Sequence, residues 1–566
     1  MRLSPSAHFT IITAARLLAF AASLIFASLA VAQGPPVSPE GPGIERDIQY
    51  VFVVVGILAT LLAWRQPLPG GWLLVVTGVM LGIGSAALYT EWTALLVALI
   101  FVVPGVLFLL EGTSGRRLSV QLTYAAAVLV LMVYGGFEAR ARHDYSFGPA
   151  HPQSQLTQQP FDDVEWIWSG GVTTSGATVT ARLAGGARQA RLVMSEDDSL
   201  GAAASSDYYG PDGDGVVKLR IEGLRPDTLY HYALEVDGEV DELRRGTLRT
   251  FPEGAASFSI VVGACARTGS NGAVFDAIRT EDALLYLITG DAQYENIKRN
   301  DLDRFQDAYQ TLLTAPAQSA LYRETPIAYV WDDHDFGGSN STATSDAREA
   351  ARLSYRQNVP HYELAAGAGN APIYQAFSAG RVRFVLLDTR SMRAEEAMPD
   401  GSDSLLGALQ REWLKQELLE GSRTHALVVL VSPVPWIARD SAGGDDWGGF
   451  ATERREIADF IADNGIANLM LLAGDAHMVG IDDGSNADYS TNGGAGFPVM
   501  HAAALDRPGS VKGGPYSEGA YPGAGQYGLA TFRDDGESMT VELRGRNWLG
   551  EDIVTYSFVV PAALLP

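Results

Sequence analysis

The stretch "LLYLITGDAQYENI", residues 284–297, runs through seven uncharged residues and then sets an aspartate, a tyrosine and a glutamate within five positions. Its apolar half reads as a strand buried on both faces, and strands of that kind belong to layered α/β sheets. Asp291 and Tyr294 then fall where the strand ends, which is where such sheets gather ligands. The pattern recurs along the chain. "FSIVVGA" runs into Cys265, "PIAYVW" into Asp332, Asp333, His334 and Asp335, and "NLMLLAG" into Asp475 and His477. Clustered carboxylates repel one another and lose hydration unless a cation or a proton neutralises them. Strand ends that carry a thiol, a phenol, carboxylates and imidazoles therefore point to a metal site. Each piece alone has a plainer reading: Gly-Asp after a strand is commonly a turn or a helix cap, and a lone buried cysteine commonly packs as a small hydrophobe. The ordered set at strand ends argues for chemistry.

Outward from this stretch, "RVRFVLLD" and "ALVVLVS" continue the strands, and "GALQREWLKQELLE" and "TERREIADFIADNG" read as helices between them, so residues 256–566 are expected to form an α/β domain. Residues 163–252 differ. Short alternating runs such as "ATVTARLA", "VVKLRIEGL" and "LYHYALEVDG", separated by Gly, Asp and Pro, predict a β-sandwich. "GLRPDTLYHYALEVDGE" is similar to a fibronectin type III strand pair. A polar linker covers 138–162. Before it, four apolar segments at 49–64, 72–90, 92–110 and 120–137 are each about long enough to cross a bilayer, with Trp64, Trp72, Tyr89, Trp92 and Tyr134 near their ends. Residues 1–32 read as a signal peptide ending in Ala30-Val31-Ala32, or as a retained first transmembrane helix. Either way parity carries residues 138–566 to the periplasmic or extracellular side. No acid or base stands inside the spans, so an anchor is expected rather than a transporter.

Composition narrows the rest. The 566 residues carry a formal charge of −25, which argues against binding nucleic acid, since that depends on neutralising phosphates with Lys and Arg. The single cysteine, Cys265, excludes an intramolecular disulfide.

The ordered motifs "ACARTGS", "LITGDAQYENI", "WDDHDFGGSN", "LLDTRSMR", "LLGALQREWL" and "LLAGDAHM" resemble the PhoD-like alkaline phosphatases (alkaline phosphatase D family) of the calcineurin-like metallophosphoesterase superfamily, over about residues 162–560. The resemblance implies a metallophosphoesterase-like layered α/β domain with central β-sheets, preceded by the fibronectin-like sandwich and the N-terminal multi-span region. It implies Fe3+ held by Cys265, Asp291, Tyr294 and His477, and a second ion held by Asp291 as the shared ligand, Asp333 and Asp475. His334 takes the position of the catalytic histidine beside the scissile phosphate, and Asn340 and Arg267 are candidate phosphate contacts. The chain departs from the superfamily in two places. "PVPW" stands where a further histidine ligand is expected, and Asp475 replaces a histidine, so the second site is rich in oxygen and favours Ca2+ over Zn2+. The implied activity is hydrolysis of phosphate mono- or diesters by a metal-activated hydroxide. Two rivals stand beside it: a non-catalytic membrane receptor built on a phosphoesterase-like domain, and a transporter or sensor whose working part is the four-span region.

Overall fold

The computed structural model describes residues 10, 12–23, 44–88, 98–147, 152–395, 404–441 and 443–560. They fall in two units, Met1–Pro149 and Ala150–Pro566.

In the second unit the alternating runs form β1 (Val164–Gly170), β2 (Gly176–Leu183), β3 (Ala190–Ser195), β4 (Ala204–Ser205), β5 (Val216–Glu222), β6 (Leu229–Val236), β7 (Glu239–Val240) and β8 (Gly246–Arg249). The apolar runs that follow form β9 (Phe258–Gly263), β10 (Leu285–Thr289), β11 (Ile327–Val330), β12 (Gln375–Ala379), β13 (Val382–Leu386), β14 (Leu427–Ser432), β15 (Leu469–Ala473), β16 (Met478–Asp482), β17 (Val499–Ala502), β18 (Ala520–Pro522), β19 (Gln526–Asp534), β20 (Met539–Asn547) and β21 (Asp552–Val560).

Two large sheets result. One runs β21-β20-β19-β9-β10-β11-β1-β2-β5 and the other β12-β13-β14-β15-β17-β16-β18. β9, β10 and β11 are parallel, as are β13, β14, β15 and β17, so within each sheet the carboxyl ends of these strands share an edge. The sheets pack face to face. Phe384 on β13 meets Phe532 on β19, and Val429, Val431 and Leu472 share one core with Ile260 and Val262. The alternate residues Val428, Leu430 and Leu471 turn outward onto Leu414, Leu418, Ile457 and Ile461 of the helices Gly407–Thr424 and Ala451–Asp463. On the outer side of the first sheet, Trp168 of β1 lies against Tyr309 and Tyr322 of the helices Leu302–Thr314 and Pro316–Glu324. The order of layers is helix, sheet, sheet, helix.

The strands expected of a sandwich between residues 163 and 252 are present, but they are joined to the α/β layers. β1 runs parallel to β11 at Gly170 and Ile327 and carries β2 and β5 onto the nine-stranded sheet, while β3, β4, β6, β7 and β8 make a separate small sheet. Trp168 explains why: its indole is fully buried and donates Nε1–H to the Asn358 carbonyl at 2.8 Å, so this face of β1 is packed under helices of the α/β layers.

In the first unit the apolar segments form the helices Ile44–Arg65, Pro67–Leu88, Leu99–Thr113 and Leu118–Phe147. Among the described residues two stretches, Pro67–Gly84 and Leu118–Arg140, are long and apolar enough to cross a membrane; Ile12–Ser23, Val51–Arg65 and Leu99–Thr113 are shorter. The end of the expected leader and the start of the 92–110 segment lie outside the described residues.

Candidate metal centre

The two parallel edges meet where β10 and β15 end. Gly474 makes this approach possible, because a methyl group there would collide with the Thr289 carbonyl oxygen and stand 3.0 Å from Cβ of Ala264. After β9, β10 and β15 the backbone turns through the left-handed region at residues that are not glycine: Cys265 (φ 63°), Asp291 (53°), Asp475 (60°) and His477 (50°). Such conformations cost about 1–3 kcal/mol each and persist where the surroundings enforce them, commonly at functional sites. Here each one turns a ligand-capable side chain inward.

Asp291 is the common member of the cluster. Three groups, Cys265–Asp291–His477, Asp291–Asp333–His334 and Asp291–Asp332–Asp475, each bring one donor atom per residue to within 4.8 Å of the others. The Tyr294 hydroxyl donates to Asp291 Oδ2 at 2.8 Å and lies 3.1 Å from His477 Nε2, and Cys265 Sγ is 3.7 Å from the same carboxylate oxygen. Of the residues named from the sequence, Cys265, Asp291, Tyr294, Asp333, His334, Asp475 and His477 all lie in this cluster. Asp332 stands with Asp291 and Asp475, and Asp333 with Asp291 and His334. Asp332 is the extended N-cap (φ −125°, ψ −159°) of the short helix Asp333–Phe336, and Asp333 is its first residue. Asp333 is held by the N–H groups of His334 (2.9 Å) and Asn340 (2.5 Å).

The supporting contacts fix the histidines as ligands and proton carriers require. His477 Nδ1 donates to the Pro508 carbonyl at 2.9 Å, which leaves Nε2 as a lone pair facing Tyr294. His334 Nδ1 lies 2.7 Å from Asn296 Oδ1, and the Asn296 amide donates in turn to the Tyr294 carbonyl, so the oxygen faces the imidazole. Asp335 binds the loops together by accepting from the N–H groups of Asp291, Gln293 and Asp332 at 2.6, 3.1 and 3.0 Å.

The electrostatics of the cluster call for cations. Burial, reinforced by the neighbouring Asp333 and Asp332, pushes the Asp291 carboxyl well up. Burial and then Asp291 do the same to the Cys265 thiol and the Tyr294 phenol. Burial pushes the His477 imidazole down to about 4 and also lowers His334. At Asp333 burial is outweighed by Arg390, His334 and the Asn340 N–H, which hold the carboxyl below its usual range. Two buried carboxylate oxygens, Asp332 Oδ2 and Asp475 Oδ2, have no hydrogen-bond partner. Unpaired buried oxygens aimed into a cluster of thiol, phenol, imidazole and carboxylates fit metal ions and are costly without them.

Of the two candidate phosphate contacts, Asn340 reaches the cluster through its backbone N–H. The Arg267 N–H donates to Asp506, and its side chain is exposed. Several residues of the site escaped sequence reasoning. Arg390, fully buried, pairs with Asp332 at 2.6 Å and with both oxygens of Asp445 at 2.8 and 3.1 Å. It follows β13 within "LLDTRSMR", so the strand-end rule that found the ligands could have found it. Lys512, 2.5 Å from Asp475, and Arg507, stacked 4.3 Å from the centre of the Tyr294 ring, come from a long loop with no strand-end signal.

Paired parallel edges, a shared buried aspartate and these donors make a cluster that could hold metal ions. Residues 261–501 match the family model of the PhoD-like phosphatases. A solved structure of PhoD aligns with 73% of this chain and 92% of its own length, with a TM-score of 0.58 and 17% identity. Purple acid phosphatase PPD1 from yellow lupin (Lupinus luteus) seeds aligns with 69% of this chain and 73% of its own, with a TM-score of 0.50 and 12% identity. At these identities the likeness is one of fold. No curated protein matches the sequence.

Proposed function

We propose that this protein is a membrane-anchored phosphoesterase whose catalytic unit faces the periplasm or the cell exterior and hydrolyses phosphate mono- or diesters. The observation that carries this reading is the convergence of three ligand-capable groups on Asp291, with His334 beside them. Cys265, Asp291, Tyr294 and His477 would hold iron(III), which suits thiolate and phenolate. Asp291, Asp332, Asp333 and Asp475 offer an all-oxygen set suited to Ca2+. When bound, the ions supply Lewis-acid charge for the phosphoryl oxygens and lower the pKa of water.

The chain's own residues do the rest. Asn296 holds His334 in the tautomer that leaves Nε2 free, and burial keeps the imidazole neutral at neutral pH. A phosphate dianion at the site raises its basicity, so the proton that Nε2 delivers to the leaving oxygen is carried in the ester complex. Tyr294 lies against His334, with ring centres 4.0 Å apart, and limits where the imidazole can swing. Anchoring is supported by the two apolar helices and by the leader-like start of the sequence.

The test is hydrolysis of a chromogenic phosphomonoester and a chromogenic diester by the full-length protein, with metal content measured on the same sample. Chelation should abolish turnover and Ca2+ should restore it. A folded, metal-replete protein that cleaves neither ester would refute the reading in favour of a non-catalytic receptor. Membrane fractionation with protease added outside the cell tests the topology, and a protected catalytic unit would count against export.

A further inference from the structure

The cations around the cluster are not equivalent. Arg390 is neutralised by Asp332 and Asp445, Arg393 by Asp445 at 2.8 Å, and Lys512 by Asp475 at 2.5 Å. Arg507 differs. No carboxylate lies within ion-pair distance of it among the described residues, and its buried Nε has no hydrogen-bond partner. Its guanidinium stacks on Tyr294, whose ring also lies against His334.

The backbone holds this arginine in place from both sides. The N–H of Leu505 donates to the Ala264 carbonyl at 3.1 Å, and Asp506 accepts from the Arg267 N–H at 2.5 Å. On the other side the Pro508 carbonyl takes the His477 Nδ1 proton, and the Ser510 N–H donates to the His477 carbonyl at 3.0 Å. Residues before and after Arg507 are thereby fastened to the two loops that carry Cys265 and His477. A charge placed so firmly, half-buried and without a partner, retains its binding capacity for an anion that arrives from solution.

We propose that Arg507 is a substrate-binding residue that grips the phosphoryl group and selects phosphate monoesters over diesters. The inference rests on the phosphoesterase reading of the site. A monoester presents a second negative charge and a third terminal oxygen, which a guanidinium fork can bind in bidentate fashion. A diester carries an ester group on that oxygen and has a single charge.

The experiment compares full-length, metal-loaded wild type with R507M and R507K. Inorganic phosphate is titrated into each by calorimetry, metal content is measured, and KM and kcat are determined for p-nitrophenyl phosphate and bis(p-nitrophenyl) phosphate. In R507M we expect phosphate affinity and monoester KM to worsen about 10- to 100-fold, with metal content unchanged and diester KM shifted much less. R507K, which keeps the charge but not the fork, should recover part of the loss. Unchanged phosphate affinity in R507M would overturn the proposal, as would loss of metal, which would make Arg507 a support for Tyr294. An equal rise in KM for both esters would overturn the selection of monoesters. If wild type cleaves neither ester while R507M still loses phosphate affinity, the phosphoesterase reading fails and the anion-binding role of Arg507 stands.

Discussion

Replacing Arg390 by methionine tests whether the centre depends on a buried counterion. The guanidinium is fully buried, with Nε 2.6 Å from Asp332 and both Nη atoms on Asp445. Burial works against its charge, but Asp332 and Asp445 outweigh burial and hold it well above its usual value. In R390M, Asp445 keeps Arg393 as a partner, so the cost falls on Asp332, whose side chain is 1% exposed and whose Oδ2 is already unpartnered. Removing one partner of a buried pair costs about 3–5 kcal/mol, which is the destabilisation expected here. The assay is guanidinium unfolding of the chelated protein, followed by tryptophan fluorescence, with Trp331 adjacent to Asp332 in sequence. D332N introduced into R390M should recover about 2 kcal/mol, because an amide needs no counterion, and the two substitutions should couple within the range seen for contacting residues. The cost should also be smaller at pH 5 than at pH 8, since an unpaired carboxylate can escape by taking up a proton. A loss below about 1 kcal/mol, or strict additivity with D332N, would refute the reasoning.

Because burial raises both the Cys265 thiol and the Tyr294 phenol, these groups hold their protons before a cation arrives, and metal uptake at pH 7 should release protons into weak buffer; uptake without release would contradict the assignment of either residue as a ligand. Burial, with Lys218 and Arg356 beside it, pushes His361 down from 6.5 to about 4, so the unfolded chain binds the extra proton between these values and stability falls as pH drops through that window. At 1.36 kcal/mol per pH unit this amounts to at most about 3.4 kcal/mol, and urea unfolding of H361Q should lack that part of the acid limb; parallel pH profiles for wild type and variant would count against it. G474A should force β15 away from Thr289 and lower stability by about 1–3 kcal/mol, with weakened metal retention because Asp475 moves too; a variant with native stability and native metal content would show that the approach of the two edges is not tight.

The sequence by itself determined a good deal. Near-continuous apolar runs such as residues 284–290 are explained by burial on both faces, and so they announced parallel strands. The ordered set of thiol, phenol, carboxylates and imidazoles directly after those runs pointed to a metal site, and the resemblance to a known family singled out Cys265, Asp291, Tyr294, Asp333, Asp475 and His477 within it. The same reading could not see pairing across space. That β1 would lie beside β11 depends on Trp168 finding Tyr309, Tyr322 and Asn358 after long loops have closed, and no local pattern encodes those contacts. That Asp332 stands beside Asp291 and Asp475 depends on the extended backbone of this helix N-cap, which a quoted motif does not reveal. Arg390, Lys512 and Arg507 act through charge, and charge works by distance in three dimensions. Only the fold decided which of these cations are neutralised by aspartates and which one is left free for an incoming anion.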